Sequence, residues 1–266
     1  MKTNATDHFS SRSEEYSFYR PVYPDGLFEF LSEITRHKNL AWDCATGNGQ
    51  AAIGICKYFK KVIASDVSKS QIEYSFHRDN IVYDVFPAEK ANIEENSVDL
   101  ITVAQAAHWF DLTKFCQEVR RVSNGNDGII AIWSYGMHRI NPKIDMISEK
   151  LTVDGEILGN YWPKETIYVK EDYKTIPFPF KEITIPKLEM KVNWSFDDLF
   201  TYMETWSSVK KFQMEKKYDP LSIVREEMKS LWGKRYKEGC EMEYKPQGRV
   251  YPKISLAAPL FVLSRL

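Results

Sequence analysis

The segment LAWDCATGNGQAA, residues 40–52, decides the fold because it joins an apolar run to a glycine-rich turn and a second apolar run. Residues 40–44 predict a buried strand, and residues 50–59 predict the helix that follows it. Gly47 and Gly49 permit a tight turn and let a ligand approach the backbone closely. The spacing Gly47-x-Gly49-x-x-Ala52 also fits a dinucleotide fingerprint, so the segment predicts a strand–loop–helix unit that binds a ligand.

Outward from this segment, short apolar runs alternate with amphipathic stretches as far as about residue 135. The predicted strands are residues 40–44, 61–65, 81–85, 98–104 and 129–133. The predicted helices are residues 50–59, residues 69–77 with Ser68 as N-cap, and residues 111–122. Strands separated by helices require a parallel sheet with right-handed crossovers, and such sheets bind ligands at the carboxyl ends of their strands.

Two carboxylates at those strand ends indicate which ligand is bound. Asp66 ends the second predicted strand, 19 residues after Gly47, where an acid is placed to bind two ribose hydroxyls. Asp43 lies four residues before Gly47, where it would repel a pyrophosphate. S-adenosylmethionine has no phosphate and carries an ammonium and a sulfonium that a carboxylate stabilises. No Tyr-x-x-x-Lys dyad of the short-chain dehydrogenases occurs either, so the pattern favours S-adenosylmethionine.

Three further motifs join the glycine-rich segment in a resemblance to class I S-adenosylmethionine-dependent methyltransferases. Residues 42–50 resemble their first motif, residues 63–68 their ribose-binding motif, residues 87–89 their adenine-side motif and residues 99–111 their fourth-strand motif. The entry segment, residues 19–24, and the His-Trp-Phe triplet resemble the small-molecule branch that contains trans-aconitate methyltransferase-like, type 11 enzymes. The motifs cover about residues 8–135, and the C-terminal third fits more loosely.

The resemblance implies a cofactor-binding set, which consists of Tyr16, Arg20, Asp43, Ala45, Gly47, Gly49, Asp66, Val67, Ala88, Glu89 and Gln105. In this set Asp43 would hold the methionine ammonium, Asp66 would bind the ribose hydroxyls and Val67 would pack on adenine. Ala88 would offer backbone groups to the adenine edge. Many members carry an acid just before the Ala-Glu pair, but Pro87 stands there in this chain. Adenine recognition must then use backbone groups or another side chain.

Candidate substrate residues follow the fourth and fifth predicted strands. His108 is the best-placed group for removing a proton, although a role in shaping the pocket stays open. The candidate substrate contacts are Tyr19, Trp109, Tyr135 and Arg139. The guanidinium of Arg139 would orient an acidic substrate, and Arg20 would bind either that substrate or the cofactor carboxylate. His138 and a set of aromatic residues would complete the wall; the set is Tyr16, Tyr19, Tyr23, Tyr135, Tyr161, Trp162 and Trp206.

The predicted fold class is α/β: a Rossmann-like, mostly parallel sheet of seven strands with helices on both faces and a helical lid. Residues 181–192 and 249–263 would form the antiparallel C-terminal pair, with helices near 196–213 and 220–237 between them. The predicted organisation is one composite domain. Its parts are an N-terminal lid segment at 1–30, a cofactor-binding core at 31–135, and a substrate lid with the last strands at 136–266.

Composition and charge exclude several classes. The 266 residues carry 36 Lys+Arg and 37 Asp+Glu, and this formal net charge of −1 argues against nucleic-acid binding. No long apolar run predicts a membrane span, and the N-terminus has no apolar stretch of the kind that signal peptides carry. The four Cys, 44, 56, 116 and 240, predict reduced thiols in the cytoplasm. The His residues show no metal spacing, so no metal site is predicted.

The sequence therefore predicts a cytoplasmic enzyme, a monomer or homodimer, that transfers a methyl group from S-adenosylmethionine to a small molecule. A carboxylate acceptor needs no base, whereas a phenol or enol would need one such as His108. A nucleic-acid or protein methyltransferase and a nicotinamide-dependent oxidoreductase stay open as alternatives. A non-catalytic cofactor-binding module stays open as well.

Overall fold

The computed structural model describes residues 20–125, 127–186, 188–233 and 240–252. The strands are β1 Leu40–Cys44, β2 Lys61–Asp66, β3 Ile81–Val85, β4 Leu100–Ala104, β5 Ile129–Arg139, β6 Met190–Trp194 and β7 Cys240–Pro252. The α-helices are α1 Asp25–Ile34, α2 Gln50–Ile55, α3 Lys69–Glu73, α4 Leu112–Val122, α5 Pro142–Glu149, α6 Thr166–Lys170, α7 Phe196–Glu204, α8 Ser207–Lys216 and α9 Ser222–Trp232. Short 3-10 helices cover Ala107–Trp109 and Gly159–Tyr161.

All seven strands belong to one sheet, in the order β3-β2-β1-β4-β5-β7-β6. The pairs from β3 to β5 are parallel, and β7 runs antiparallel to both β5 and β6. This arrangement confirms the predicted α/β class with a mostly parallel, Rossmann-like sheet. The chain reverses its direction of progress between β3 and β4, so the carboxyl ends of β1 and β4 lie side by side at the switch point where such sheets bind ligands.

The predicted bounds of the C-terminal strands were wrong. Residues 181–189 precede β6, which is only Met190–Trp194, and β7 begins at Cys240 rather than at residue 249. Residues 253–263 of that prediction lie outside the described residues. β5 continues past residue 133 to Arg139 because β7 supplies its hydrogen-bonding partner that far, with an irregularity in register between Tyr135 and His138. Pairing of this kind joins segments more than 100 residues apart, and no local pattern encodes it.

Several helices end earlier than predicted. The helix predicted at 50–59 ends at Ile55, and the one predicted at 69–77 ends at Glu73. After α3 the chain turns so that the backbone N–H of Phe76 donates to the carbonyl of Asn48, and this bond replaces continued helix. The Ser68 hydroxyl accepts from the backbone N–H of Gln71, which confirms its predicted N-cap role.

The helices predicted near 196–213 and 220–237 are α7, α8 and α9. The first prediction merged two helices, because the backbone is extended at Trp206 between α7 and α8. The second helix ends at Trp232, and residues 234–237 lie outside the described residues.

Three apolar cores hold these layers together. One face of the sheet packs around Trp42 and Phe115 against α4, and the other packs around Phe28 and Ile55 against α1 and α2. A third core, which we call the lid core, joins the end of β5 to α5 and α7–α9; its fully buried members include Phe196, Leu199, Phe200, Met203 and Met242. None of the helices in the described ranges has the length and apolar character that crossing a bilayer requires.

Candidate active site

The loop between β1 and α2 has a backbone that few side chains tolerate. The φ angles of Ala45, Gly47 and Gly49 are 54°, 57° and 90°, all in the left-handed region. A Cβ added at Gly49 would lie 2.2 Å from the hydroxyl oxygen of Tyr83. Because α2 begins directly after Gly49, its first N–H groups lie at the edge of this loop. Glycine is therefore required at position 49 by conformation and by space.

Asp43 lies under the loop and is completely buried. The Thr46 hydroxyl donates to its Oδ2, and the Thr102 hydroxyl, from β4, donates to its Oδ1 over 2.7 Å. Burial raises the pKa of the Asp43 carboxyl to about 6, the two hydroxyl donors limit the rise, and the charge of Asp66 adds slightly to it. A cationic ligand beside Asp43 would favour its ionised form.

Asp66 ends β2 and ties the glycine loop to that strand. Its Oδ2 accepts from the backbone N–H of Gly47 over 2.9 Å, and its Oδ1 accepts from the backbone N–H of Ser68 over 2.9 Å. A carboxylate oxygen has a second lone pair, so each can also accept a hydrogen bond from a ligand hydroxyl. Asp66 thus holds the loop and presents acceptors at the same strand end.

The predicted adenine-binding side consists of one exposed side chain, Val67, and the turn after β3, which hydrogen bonds hold against the start of α4. Val67 is 51% exposed, which leaves its side chain available to a flat ligand, and Ala88 is buried. The carboxylate of Glu89 accepts from the backbone N–H of Asp111 over 2.8 Å. Glu118 on α4 accepts from the backbone N–H of Ala91 over 2.7 Å. The Glu89 side chain therefore joins this turn to the start of α4.

The Arg121 guanidinium, also on α4, binds the same turn. It donates to the carbonyls of Ala91 and Ile93. We call the contacts of Glu89, Glu118 and Arg121 the clamp. The segment after β3 is thus bound to α4 through side chains from both elements.

A cavity of about 660 Å³ lies beyond the carboxyl ends of β4 and β5. Its lining includes Gln105 and Trp109 after β4, Tyr135 in β5, and lid residues. The aromatic lid residues of the wall are Trp162, Tyr202 and Trp206, and the rings of Trp162 and Trp206 are 5.5 Å apart. Gln105 holds its φ of 56° while its side-chain amide donates to the carbonyl of Tyr135. The cavity wall therefore combines aromatic rings with charged side chains of both signs, and it lies at the end of β4, the strand next to β1 in the sheet.

His108 lines this cavity from the 3-10 helix after β4. Its Nδ1 lies 2.8 Å from the hydroxyl oxygen of Tyr173, a residue with no exposed surface. Burial lowers the pKa of the His108 imidazole to about 4, so the ring is neutral at neutral pH. His108 thus lies in the cavity wall after β4, with a buried partner that the sequence did not indicate.

Several charged side chains that line the cavity form ion pairs. Arg139 is half exposed, and its guanidinium lies 3.4 Å from a carboxylate oxygen of Glu149 and 4.0 Å from one of Asp145. Lys170 pairs with Asp154. The guanidinium of Arg20 lies over the Tyr202 ring, 5.4 Å from its centre. Arg139 therefore reaches the cavity as part of an acidic cluster, which weakens its predicted attraction for an acidic substrate.

Some predicted residues lie elsewhere. His138, which the sequence placed in the wall of the site, has no exposed surface, and its Nε2 is hydrogen-bonded to the Ser148 hydroxyl. Tyr161 packs on Phe212 and its hydroxyl donates to Glu215, while Tyr23 packs edge-on against Trp133. Tyr16 and Tyr19 lie outside the described residues.

Sequence reasoning missed Thr46, Thr102, Tyr173 and Tyr202. Thr102 has a detectable signal, because it is a hydroxyl in the middle of the apolar run VDLITVA, residues 98–104. Tyr173 has none, because it lies 65 residues after His108 in a segment without regular structure.

The two carboxylates at the strand ends favour a particular kind of ligand. Asp43 and Asp66 favour a cation and neighbouring hydroxyls and oppose a phosphate. The side-chain nitrogen of Asn48, in the glycine loop, is buried and has no hydrogen-bond partner among the described residues. Such an orphaned donor is satisfied when a ligand or water with an acceptor atom occupies the loop.

Comparisons with known proteins identify the family of the chain. A family model described as "Methyltransferase domain" matches residues 42–132. A candidate methyltransferase of Dictyostelium discoideum is 37% identical over 228 residues, which are 84% of this chain and 86% of that protein. A solved candidate type II methyltransferase from Anaeromyxobacter dehalogenans is 34% identical with a TM-score of 0.79, over 87% of this chain and 97% of that one.

The description of a more distant relative also names a cofactor. The Saccharomyces cerevisiae protein CRG1, described as a candidate S-adenosylmethionine-dependent methyltransferase, is 30% identical over 151 residues. The match covers 53% of this chain and 50% of that protein.

Proposed function

The chain belongs to the class I S-adenosylmethionine-dependent methyltransferases, and from that premise we propose that it methylates a small molecule held in the aromatic cavity. The acceptor atom is an oxygen of a carboxylate, a phenol or an enol. The observation that carries the proposal is the cavity of about 660 Å³ beyond the carboxyl ends of β4 and β5, because β4 lies next to β1, the strand that leads into the glycine loop. Ligand pockets of several hundred cubic ångströms enclose most of a small molecule, whereas a macromolecular substrate needs an extended surface.

The residues under and beside the loop fit the cofactor. When bound, S-adenosylmethionine supplies an electrophilic methyl group on a sulfonium. Asp43 would accept hydrogen bonds from the methionine ammonium, directly or through water, and Asp66 would accept them from the ribose hydroxyls. Gly47 and Gly49 have no side chains that would block the approach of the cofactor to the backbone, and Asn48 offers its buried amide nitrogen. These roles rest on two buried or half-buried carboxylates at neighbouring strand ends.

The chain's own contribution to the reaction is alignment and exclusion of water. A methyl transfer proceeds in line, so holding the acceptor at a fixed distance and angle supplies much of the rate enhancement. Trp109, Trp162 and Trp206 wall the cavity with rigid rings that position a planar acceptor. The helices α5 to α8 contribute residues to the cavity wall, so they would cover the acceptor on the side away from the sheet and keep bulk water out.

A methyl-transfer screen tests the proposal. The protein is incubated with S-adenosylmethionine labelled in the methyl group and with separate panels of small carboxylates, phenols, quinones, oligonucleotides and unfolded protein. We expect label in at least one small molecule and none in the macromolecules. A matched variant, Trp206→Ala, should lower transfer while leaving cofactor affinity unchanged, because Trp206 lies in the lid wall. Label confined to nucleic acid or protein would contradict the small-molecule acceptor and leave the family assignment intact.

A further inference from the structure

The hydrogen bond between His108 and Tyr173 has a direction that the surroundings determine. The Tyr173 side chain has no exposed surface, and its hydroxyl oxygen lies 2.8 Å from Nδ1 of His108. Within the described part of the chain, no other acceptor is hydrogen-bonded to this hydroxyl. If Nδ1–H were the donor, the hydroxyl hydrogen of Tyr173 would be left buried without an acceptor. If the hydroxyl donates to Nδ1, that hydrogen is satisfied.

The backbone of His108 supports the same direction. Burial raises the pKa of the Tyr173 hydroxyl, and a hydrogen bond from the His108 backbone opposes that rise. A backbone N–H can only donate, so it uses a lone pair of the Tyr173 oxygen and leaves the hydroxyl hydrogen for Nδ1. A neutral imidazole that accepts at Nδ1 carries its hydrogen on Nε2. His108 lines the cavity, so Nε2 is the ring nitrogen that remains for a ligand there.

The backbone that carries Tyr173 is itself unusual. Asp172 and Tyr173 both have a φ of 57°, in the left-handed region that disfavours residues with a Cβ. The backbone N–H of Tyr173 donates to the carbonyl of Tyr168 over 2.8 Å, which closes a turn after α6. Strained turns of this kind persist where the surroundings fix them, and they cluster at functional sites. The turn directs the Tyr173 ring under His108, with 5.9 Å between the ring centres.

We propose that Tyr173 is a positioning residue that fixes His108 as an Nε2–H donor to the methyl acceptor, so that the acceptor group is an oxygen already ionised, such as a carboxylate. This inference rests on the proposed function, because it names the acceptor class of the same site. An ionised carboxylate that takes up a methyl group becomes a neutral ester and releases no proton. His108 then orients one carboxylate oxygen and removes nothing, which differs from the base role that its position in the sequence predicts.

Nuclear magnetic resonance of the free protein tests the direction of the bond without cofactor or acceptor. Histidine is labelled with ¹⁵N, and long-range ¹H–¹⁵N spectra distinguish the hydrogen-bearing nitrogen from the bare one. The His108 signals are assigned as those lost in His108→Gln. We expect a bare Nδ1 and a hydrogen on Nε2 in the wild type. In Tyr173→Phe the ¹⁵N chemical shifts of both ring nitrogens should move towards values averaged between the two tautomers. Tyr161→Phe, which removes a hydroxyl in the lid core, should leave them unchanged.

A hydrogen on Nδ1 in the wild type overturns the inference whatever the variants do, so a poorly folded Tyr173→Phe leaves the test decisive. The acceptor class is tested separately in the methyl-transfer screen. There, label in carboxylates supports the inference, and label only in phenols that are neutral at the assay pH overturns it. Label only in macromolecules would instead defeat the proposed function, and the spectra would still report the tautomer. The two failures are therefore distinguishable.

Discussion

The Thr102 hydroxyl donates to the Asp43 carboxylate over 2.7 Å, and this bond joins the carboxyl ends of β4 and β1 at the switch point of the sheet. Both residues are completely buried. A carboxylate held in this way is costly to ionise in the free protein and is favoured when a cation arrives. If Asp43 binds the cofactor as we propose, its protonation links cofactor affinity to the stability of the fold.

Cofactor affinity should depend on pH through Asp43. Its pKa in the free protein is about 6, and the proposed contact with the methionine ammonium requires the ionised form. We expect the affinity for S-adenosylmethionine to be constant above pH 7 and to fall by up to about tenfold for each pH unit below 6. Calorimetry between pH 5 and 8 measures this. In Asp43→Asn the affinity should be low and should not change with pH; an equal pH dependence in both proteins would exclude Asp43 as the titrating group.

Asp43→Asn should also change how the stability of the free protein depends on pH. The folded-state pKa is raised from 3.8 to about 6, so the stability associated with the protonated group is fully present below pH 3.8 and is lost as pH rises through 6. Two pKa units correspond to on the order of 3 kcal/mol. Relative to the wild type, the variant should therefore gain roughly 2–3 kcal/mol in unfolding free energy between pH 4 and 8. Urea unfolding of both proteins checks this, and parallel pH profiles would contradict it.

Asp66→Ala should weaken S-adenosylmethionine binding by about 1.5–3 kcal/mol, the range for losing charge-assisted hydrogen bonds. The variant loses the predicted ribose contacts and also the bond to the backbone of Gly47. Asp79→Ala is the matched control, because Asp79 is an exposed acid at the opposite end of the neighbouring strand. Unchanged affinity in Asp66→Ala would show that Asp66 serves the loop alone.

Gly49→Ala should abolish cofactor binding and lower the melting temperature. Its φ of 90° opposes any Cβ, and that atom would lie 2.2 Å from the Tyr83 hydroxyl oxygen. Gly125→Ala separates the two causes, because Gly125 also has a positive φ of 48° but has nothing within 4 Å of the added atom. We expect about 1 kcal/mol of destabilisation from backbone strain at Gly125 and clearly more at Gly49. Equal losses of stability in the two variants would mean that Tyr83 moves away from the added Cβ at no energetic cost.

The parallel half of the sheet was predictable because its strands are short apolar runs that need no distant partner to be recognised. The bounds of β1 and β3 match the prediction to the residue. The ends of α2 and α3 were not predictable, because hydrogen bonds to other segments end them. β6 and β7 pair with each other across the three helices of the lid, so their bounds depend on contacts that a local pattern does not contain.

The site was predictable where chemistry and spacing coincide, and not elsewhere. Asp43, Gly47, Gly49 and Asp66 lie within one strand–helix–strand unit, and the structure joins Asp66 to Gly47 directly. Tyr173 was not predictable because its role depends on a left-handed turn that directs one buried ring towards His108. Arg139 follows the predicted fifth strand, but the acids that pair with it belong to α5, so the sequence alone overestimated its attraction for an acidic substrate.

The clamp between α4 and the turn after β3 affects the entropy of binding. Glu89, Glu118 and Arg121 already hold the backbone of that turn in the free protein. A segment that is ordered before the ligand arrives loses little conformational freedom when it binds. If adenine binds at this turn as we propose, less of its interaction energy is spent on ordering the backbone, and the backbone groups of the turn could provide affinity although Pro87 offers no acid.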